Sequence, residues 1–239
     1  MRLYKHYILY TMLLATGPAL ADEQVPASFK ATYKLYYNGM DVGETERSIS
    51  KTGNDEYTYR SESKTLGLAA LFRKDHIVEQ SVWRITDQQL FPLDYSYVRF
   101  KGEKDREVII HFDWDNNLIT SRVNSKTRET PIESGVLDKL LYQYALMRDL
   151  QNGNIPDTYM IADGGKKMQP YNFNSMGKEK VNTPLGELDT IKVQSTKPND
   201  TRKLVFWCAP GLNFLPVKVE HTEEDGGITT AVIQVLAGI

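Results

Sequence analysis

The chain has 239 residues, with 29 Lys and Arg against 31 Asp and Glu, a formal net charge of −2 and 41% hydrophobic residues. Such a balanced charge argues against a nucleic-acid-binding protein and against strong electrostatic attraction to anionic lipid. The single cysteine, Cys208, excludes an internal disulfide, and its apolar surroundings at 205–210 predict a buried, unreactive thiol.

Residues 1–21 have the pattern of an export signal. Arg2 and Lys5 precede an apolar run at 7–15, which is shorter than the roughly 20 residues of a membrane-spanning helix. A small-x-small cleavage motif follows at 19–21. The pattern predicts a periplasmic protein, exported with a cleaved signal peptide, whose mature chain has no transmembrane span. An uncleaved N-terminal anchor is the alternative.

Most of the remaining chain alternates between polar and apolar residues, which is typical of strands with one buried face. The clearest apolar positions are Phe29, Ala31, Tyr33, Leu35 and Tyr37, then Val108, Ile110, Phe112 and Trp114, and later Ile191, Val193, Leu204, Phe206, Val217 and Val219. Turn signals such as Asn38-Gly39 and Asp225-Gly226-Gly227 separate roughly a dozen such runs. The sequence therefore predicts an all-β fold, in which one domain at 22–239 forms a large antiparallel meander curved into a barrel-like or half-barrel sheet.

The stretch 65–72, Thr-Leu-Gly-Leu-Ala-Ala-Leu-Phe, interrupts the alternation. Its two alanines and its lack of β-branched residues after Thr65 favour a short helical turn at about 66–72. Apolar side chains at i, i+3 and i+4 would share one face of that turn. We expect the turn to lie at the mouth of the sheet, as a plug or as a gate. The candidate ligand contacts in it are Leu66, Leu68, Leu71 and Phe72.

One longer segment has helical spacing. Ser134 can serve as its N-cap, Asn152-Gly153 supplies a stop, and apolar residues recur at helical intervals between them. The pattern predicts an amphipathic helix over about 134–151. We expect it to cover one mouth of a barrel or to pack on the sheet, rather than to bind a partner helix.

Motifs for chemistry are sparse. The sequence has no serine-nucleophile motif, no phosphate-binding glycine loop and no paired His or Cys spacing for a metal. His221 is expected to be structural, whereas His111, with carboxylates nearby in sequence, could act as a base. Glu62 and Glu79 are candidate paired acids. We expect no catalytic residue, no metal site and no cofactor, and keep a hydrolase based on His111 or on a carboxylate as an alternative.

Tyrosines alternate along several of the predicted strands. Rings with polar tips suit a cavity that holds a partly apolar ligand. They suit ordinary sheet as well, because aromatic residues favour strands. The candidate ligand contacts among them are Tyr33, Tyr59 and Tyr97.

Several short motifs occur in a characteristic order. They are Phe29-x-Ala31-x-Tyr33, Gly39-x-x-Val42-Gly43, Leu90-Phe91-Pro92-Leu93, Val136-Leu137-Asp138, Gly177-x-Glu179, Thr183-Pro184-Leu185-Gly186, Trp207-Cys208-Ala209-Pro210, Leu215-Pro216-Val217 and Asp225-Gly226-Gly227. In this order they resemble the bacterial family labelled domain of unknown function 3108, a family of predicted exported proteins, over nearly all of 28–236. The resemblance implies an exported, mostly antiparallel β protein with barrel-like curvature, and it carries over no catalytic residue. Pro92 and Pro216 cannot donate to a sheet ladder, so they should lie at strand starts, edges or bulges.

These patterns favour an exported, non-enzymatic envelope protein that binds a lipid or another hydrophobic ligand in a cavity of the curved sheet. An envelope scaffold or protein-interaction module with a packed interior is a second hypothesis, and the hydrolase is a third. The expected partners are a lipid or hydrophobic small molecule, or other envelope proteins, and no nucleic acid.

Overall fold

A computed structural model describes residues 28–67, 69–72, 75–100, 105–165 and 167–238, with the side chain of Phe72 left out. The predicted signal peptide at 1–21 lies outside these residues. Two α-helices are described, α1 at Ala69–Phe72 and α2 at Leu141–Gln151, with a short 3-10 helix at Pro210–Leu212. The strands are β1 Phe29–Tyr37, β2 Met40–Lys51, β3 Glu56–Thr65, β4 His76–Thr86, β5 Gln89–Phe100, β6 Arg106–Asp113, β7 Leu118–Val123, β8 Lys126–Pro131, β9 Leu137–Asp138, β10 Thr158–Ala162, β11 Gln169–Thr183, β12 Gly186–Thr196, β13 Lys203–Ala209, β14 Leu215–Thr222 and β15 Ile228–Ala237.

All of these strands belong to one sheet. Its order runs from β8 back through β1, continues with β15, and ends at β9. The first and last strands, β1 and β15, therefore pair near the middle, and two meanders extend from them as the two arms of the sheet. Every described pairing is antiparallel except that of β9 with β10. The predicted antiparallel meander is confirmed.

The sheet is strongly curved, but its hydrogen-bonded ladder does not close. The ladder ends at β8 and β9, and β9 contacts β5 on the other arm. Beyond this contact, the β10–β11 connection packs against β6 and β7. Gly164 of this connection lies so close to β6 that a Cβ atom added to it would be 2.7 Å from Val108 Cγ1. The result is a barrel-like shell with strands β6–β8 extending past the meeting point of the arms.

The strand faces follow the predicted alternation. Phe29, Ala31 and Tyr33 are buried on β1, and Val108, Ile110 and Phe112 are buried on β6. Both prolines lie where the register shifts. Pro92 pairs with Trp83 directly after the shift between β4 and β5, and Pro216 pairs with Cys208 after the shift between β13 and β14. The prediction that these prolines avoid regular ladder positions is confirmed.

Helix α2 lies between the two arms and fills one end of the shell. Tyr144 packs on Trp83 of one arm, with ring centroids 5.5 Å apart, and Tyr142 packs on Phe206 of the other arm at 6.3 Å. The side chains from Leu141 to Met147 are all buried, so the first two turns are enclosed rather than amphipathic. Among the residues that the structure describes, neither helix has the length and apolar character needed to cross a bilayer.

The helix begins at Leu141 and not at Ser134 as predicted. The reason is that Leu137–Asp138 forms β9 and pairs with β10. Asp138 then caps the helix, because its Oδ1 accepts hydrogen bonds from the backbone N–H groups of Leu140 and Leu141 at 2.8 Å each.

The predicted helical turn at about 66–72 is present but shorter. Its helical part is α1 at Ala69–Phe72. Leu66 precedes the turn, and its N–H donates to the Val42 carbonyl at 3.0 Å, which ties the end of β3 to β2. Leu68 lies outside the described residues.

Candidate functional site

A cleft runs along the inside of the curved sheet and consists of two adjoining chambers. The outer chamber has a volume of about 920 Å³, and the inner chamber has a volume of about 330 Å³. The residues that border both chambers are Leu35, Ser63, Arg202, His221 and Thr229. Because these residues are shared, the two chambers adjoin each other.

Helix α2 closes the inner end of this cleft. Tyr142 and Gln143 from its first turn line the inner chamber, and Arg47 Nη1 donates to Gln143 Oε1 over 3.0 Å. At the other end of the helix, Arg148 donates to the carbonyl of Gln88 in the β4–β5 turn. These hydrogen bonds fix the helix to strand β2 and to the β4–β5 turn, and the helix blocks one end of the shell.

The outer chamber lies at the opposite end of the cleft, beside α1. Leu35, Val42, Ala69, Ile77 and Tyr97 give it an apolar wall. Its charged groups include a bidentate ion pair in which Arg99 donates to Asp75 Oδ1 at 3.0 and 3.1 Å, and the acidic β14–β15 hairpin at 223–225. This chamber thus combines an apolar wall with a charged rim.

The inner chamber has a different electrostatic character. Among the described residues, five basic side chains line it against two acidic ones: Arg47, Lys139, Lys197, Arg202 and Lys203 against Glu79 and Asp200. Arg202 is neutralised by Asp200, whose carboxylate lies 2.7 Å from Arg202 Nη2, and hydrogen bonds from Arg202 lower the pKa of Asp200 to about 2. The remaining cations leave the inner chamber positive.

Two acidic side chains lie on the inner side of the wall near α2. Glu79 accepts a hydrogen bond from the Tyr95 hydroxyl at 2.5 Å. Asp138 is fully buried and accepts one from the Ser81 hydroxyl at 2.6 Å. Burial raises the pKa of the Asp138 carboxyl to about 7, although its hydrogen bonds from Ser81, Leu141 and Leu140 oppose this rise.

The tyrosines predicted as ligand contacts fall in two places. Tyr97 lines the outer chamber, and Lys139 Nζ lies 5.8 Å from its ring centroid. Tyr33 is fully buried and donates to the Pro216 carbonyl at 2.9 Å. Tyr59 is 1% exposed and packs on Phe29. Neither Tyr33 nor Tyr59 borders the two chambers, so of the three only Tyr97 is placed at the cleft.

Of the apolar residues predicted in the 66–72 turn, Leu66 and Leu71 are described, and neither lines a chamber. Ala69 of α1 lines the outer chamber, whereas Leu66 is 42% exposed and Leu71 is 75% exposed. The described side chains of the turn therefore do not plug the cleft. Leu68 and the side chain of Phe72 lie outside the described residues, so their predicted contacts remain predictions.

The histidines do not assemble into a catalytic group in the part of the chain that the structure describes. His111 Nδ1 lies 2.8 Å from Asp94 Oδ1, and both side chains are more than half exposed. His221 borders both chambers and contacts Glu223 at 2.9 Å. Among the described residues, no three or more His, Cys, Asp or Glu side chains are grouped so that they could hold a metal ion.

Glu62 and Glu79 do not form an acid pair. Glu62 pairs with Val78 across β3 and β4, and Glu79 pairs with Ser61. Since directly paired residues share a face and successive residues alternate, the two carboxylates lie on opposite faces of the sheet. Glu62 instead contacts Lys64 and His76, and hydrogen bonds from Lys64, His76 and Arg60 lower its pKa to about 2.

The predicted state of Cys208 is confirmed. Its side chain is fully buried on β13. Burial raises the pKa of the thiol well above its ordinary value, which keeps the thiol protonated and unreactive.

The basic lining of the inner chamber was not predicted from the sequence. A usable signal existed on β2, where Arg47 occupies the same face as the buried Thr45 and Ile49. A charged residue at an inward position of a strand is uncommon unless it has a partner or borders a cavity. Lys139 and Lys197 carried no such signal, because both lie outside regular strand alternation.

A family model described as protein of unknown function DUF3108 matches residues 32–233. The chain belongs to this family. No curated protein matches the chain in a sequence comparison. The suspected family is thus confirmed, and its description assigns no chemistry to the cleft.

Among solved structures, the DUF3108 chain is similar to a crystal structure of a beta-barrel-like protein of domain of unknown function DUF1849 from Brucella abortus. The two share 9% identity with a TM-score of 0.56, over 88% of this chain and 97% of that chain. This likeness supports the barrel-like fold alone. A crystal structure of MucB in complex with MucA(peri) aligns over 88% of both chains at 10% identity, with a TM-score of 0.17.

Proposed function

We propose that this protein is an exported, non-enzymatic binding protein that holds a partly apolar ligand inside its curved sheet. The observation that carries the proposal is the cleft of two adjoining chambers, which has α2 at one end and α1 at the other. A curved sheet whose interior was filled by its own side chains would leave no such cleft at one end of the shell.

The size and lining of the cleft fit a ligand of this type. Small-molecule sites usually occupy roughly 300–1,000 Å³ and combine an apolar wall with a few polar groups. The outer chamber, at about 920 Å³, has the apolar wall of Leu35, Val42, Ile77 and Tyr97. Leu66 and Leu71 are exposed near its rim and offer apolar contact to an entering ligand.

Export to the periplasm is part of the same proposal. It is supported by the predicted signal peptide at 1–21 and by the resemblance to a family of predicted exported proteins. A lipid or another hydrophobic molecule of the cell envelope is then the natural ligand class, because such molecules need a protein to shield their apolar part from water.

Native mass spectrometry tests the proposal. The full chain is expressed, the mature protein is purified from the periplasmic fraction without detergent, and its mass is compared before and after organic extraction. We expect an added mass on a fraction of the molecules that disappears on extraction and appears as an amphiphile in the organic phase. A single unliganded mass, together with no heat stabilisation by any added lipid or fatty acid, would contradict it.

The interaction-module hypothesis is favoured by one observation, the exposure of Leu66 and Leu71 at the rim. Exposed apolar groups of this kind can also serve as a protein contact. A photo-crosslinking residue at position 71 separates the two functions in intact cells. Crosslinks to lipid support the ligand-binding proposal, and crosslinks to one defined protein support the interaction module.

A further inference from the structure

Four side chains from different parts of the chain converge on the inner chamber. Arg47 comes from β2, Lys139 from the link between β9 and α2, Tyr171 from β11 and Lys197 from the end of β12. Three of them are cationic and the fourth carries a hydroxyl donor. All four can donate hydrogen bonds, and none of the three cations can accept one.

Tyr171 is buried with an unused hydroxyl group. The side chain is 4% exposed, and its Oη has no hydrogen-bond partner among the described residues. Lys197 Nζ lies 4.7 Å from the centroid of its ring. Buried hydroxyl groups usually find an acceptor, so this one points to an acceptor that the described residues do not supply.

The positive charge beside Tyr171 is only partly compensated. Lys197 lies 3.7 Å from Asp163, and Lys139 makes no ion pair within the described ranges. Burial lowers the pKa of Lys197, with the nearby positive charges of Lys139 and Arg202 adding to the effect and Asp163 opposing it. Positive groups held together in a concave, partly buried space favour the binding of an anion.

Glu79 is a further acidic side chain that lines the chamber. Its carboxylate is engaged by the Tyr95 hydroxyl at 2.5 Å, and the described residues form no ion pair between Glu79 and Arg47, whose Nη1 donates to the neutral Gln143 amide. Arg47 is thus held by Gln143 and by a further hydrogen bond with Tyr59, and Glu79 reduces the net positive potential of the chamber.

We propose that the inner chamber binds the anionic head group of an amphiphilic ligand, whose apolar part occupies the outer chamber. This inference rests on the proposed function and adds the chemical class of the ligand. A phosphate or carboxylate group carries several acceptor oxygens, and Lys139, Lys197 and Tyr171 line the inner chamber as hydrogen-bond donors. At about 330 Å³ the inner chamber has room for a head group, while the apolar wall lies in the outer chamber.

Isothermal titration of the delipidated mature protein tests the assignment with three probes. Dodecyl phosphate supplies tail and anion, dodecyl maltoside supplies the same tail without charge, and inorganic phosphate supplies the anion alone. We expect dodecyl phosphate to bind at least about tenfold more tightly than either other probe, the difference expected from one charge-assisted hydrogen bond or more.

Variants locate the binding to the inner chamber. Lys139→Gln, Lys197→Gln and Tyr171→Phe should each weaken dodecyl phosphate binding by about tenfold and leave dodecyl maltoside binding unchanged. Lys126→Gln is the matched control, because Lys126 is an exposed lysine on the edge strand β8. Circular dichroism and melting curves establish that each variant is folded.

The possible outcomes separate this inference from the proposed function. Equal binding of dodecyl phosphate and dodecyl maltoside, or unchanged binding by all three chamber variants, would overturn the head-group assignment and leave the binding function standing. Inorganic phosphate binding as tightly as dodecyl phosphate would also overturn it, in favour of a free anion. Failure of every probe to bind would overturn both proposals.

Discussion

Ser81 on β4 donates a hydrogen bond to Asp138 on β9 across 2.6 Å, although these strands are not neighbours in the sheet. The other oxygen of the same carboxyl group accepts the N–H groups of Leu140 and Leu141. One buried side chain therefore joins the two arms of the shell and starts the helix that closes the cleft.

The protonation of Asp138 should make stability depend on pH. Burial raises its pKa from 3.8 in the unfolded chain to about 7 in the folded one, so the folded protein binds the proton more tightly between these values. The stability due to this proton is fully present below the unfolded pKa and is lost as the pH rises through about 7. Asp138→Asn removes the titration and can keep the contacts with Ser81 and the helix N–H groups.

We therefore expect the free energy of unfolding of Asp138→Asn, relative to the wild type, to rise by about 2–3 kcal/mol between about pH 5 and about pH 8. Urea unfolding at several pH values measures it. Asp113→Asn is the control and should give a constant difference, because hydrogen bonds from Asn116 lower the pKa of Asp113. A constant difference for Asp138→Asn would show that Asp138 keeps an ordinary pKa.

Gly43 should tolerate no side chain. It is buried on β2 opposite Thr65, and a Cβ atom there would lie 2.1 Å from the backbone oxygen of Lys64. Gly43→Ala must push β2 from β3 and should destabilise the fold by about 2 kcal/mol in urea unfolding. Gly53→Ala is the control. The added Cβ atom would lie 3.3 Å from its nearest neighbour, Glu56 Cβ, and the free energy of unfolding should change by no more than about 0.5 kcal/mol. Equal effects of both variants would argue against the close approach of the strands.

Leu71 should affect ligand entry and not stability. Because its side chain is 75% exposed, Leu71→Ser should leave the free energy of unfolding within about 0.5 kcal/mol of the wild type. If the rim guides apolar molecules into the cleft, the variant should take up a fluorescent acyl probe several-fold more slowly in stopped-flow experiments. Val235→Ser, 60% exposed on β15, is the matched control and should bind at the wild-type rate. Equal rates of probe uptake for the wild type, Leu71→Ser and Val235→Ser would show that Leu71 is not part of the entry path.

The predicted signal peptide has a direct test of its own. Expression of the full chain in a bacterial host should give a periplasmic product that begins at Asp22, because the small-x-small motif ends at Ala21. N-terminal sequencing and intact mass measure the cleavage. An intact chain that begins at Met1 and sediments with membranes would support the uncleaved anchor.

The sequence predicted the local features of this fold well because they depend on nearby residues. The alternation of polar and apolar residues correctly predicted which faces of β1 and β6 are buried. Because proline has no N–H group to donate, Pro92 and Pro216 were correctly predicted to lie at irregular ladder positions. The class of fold followed from the number of such strands and turns.

Features that depend on distant pairing could not be predicted in the same way. Nothing in strand alternation specifies that β1 lies beside β15. The start of α2 was missed because the pairing of β9 with β10 removes Leu137 and Asp138 from the helix. The inner chamber was missed for the same reason, since Arg47 of one arm and Lys139 and Lys197 of the other line one chamber only after the two arms curve toward each other.

The central claim, that the ligand lies inside the cleft, is tested most directly by filling the passage between the chambers. Thr229 borders both chambers, and its neighbour Thr230 lies on the opposite face of β15. Calorimetric titration with dodecyl phosphate should show binding at least about tenfold weaker for Thr229→Trp, because its indole occupies the ligand space, and unchanged for Thr230→Trp. Wild-type affinity in a folded Thr229→Trp protein would contradict the account.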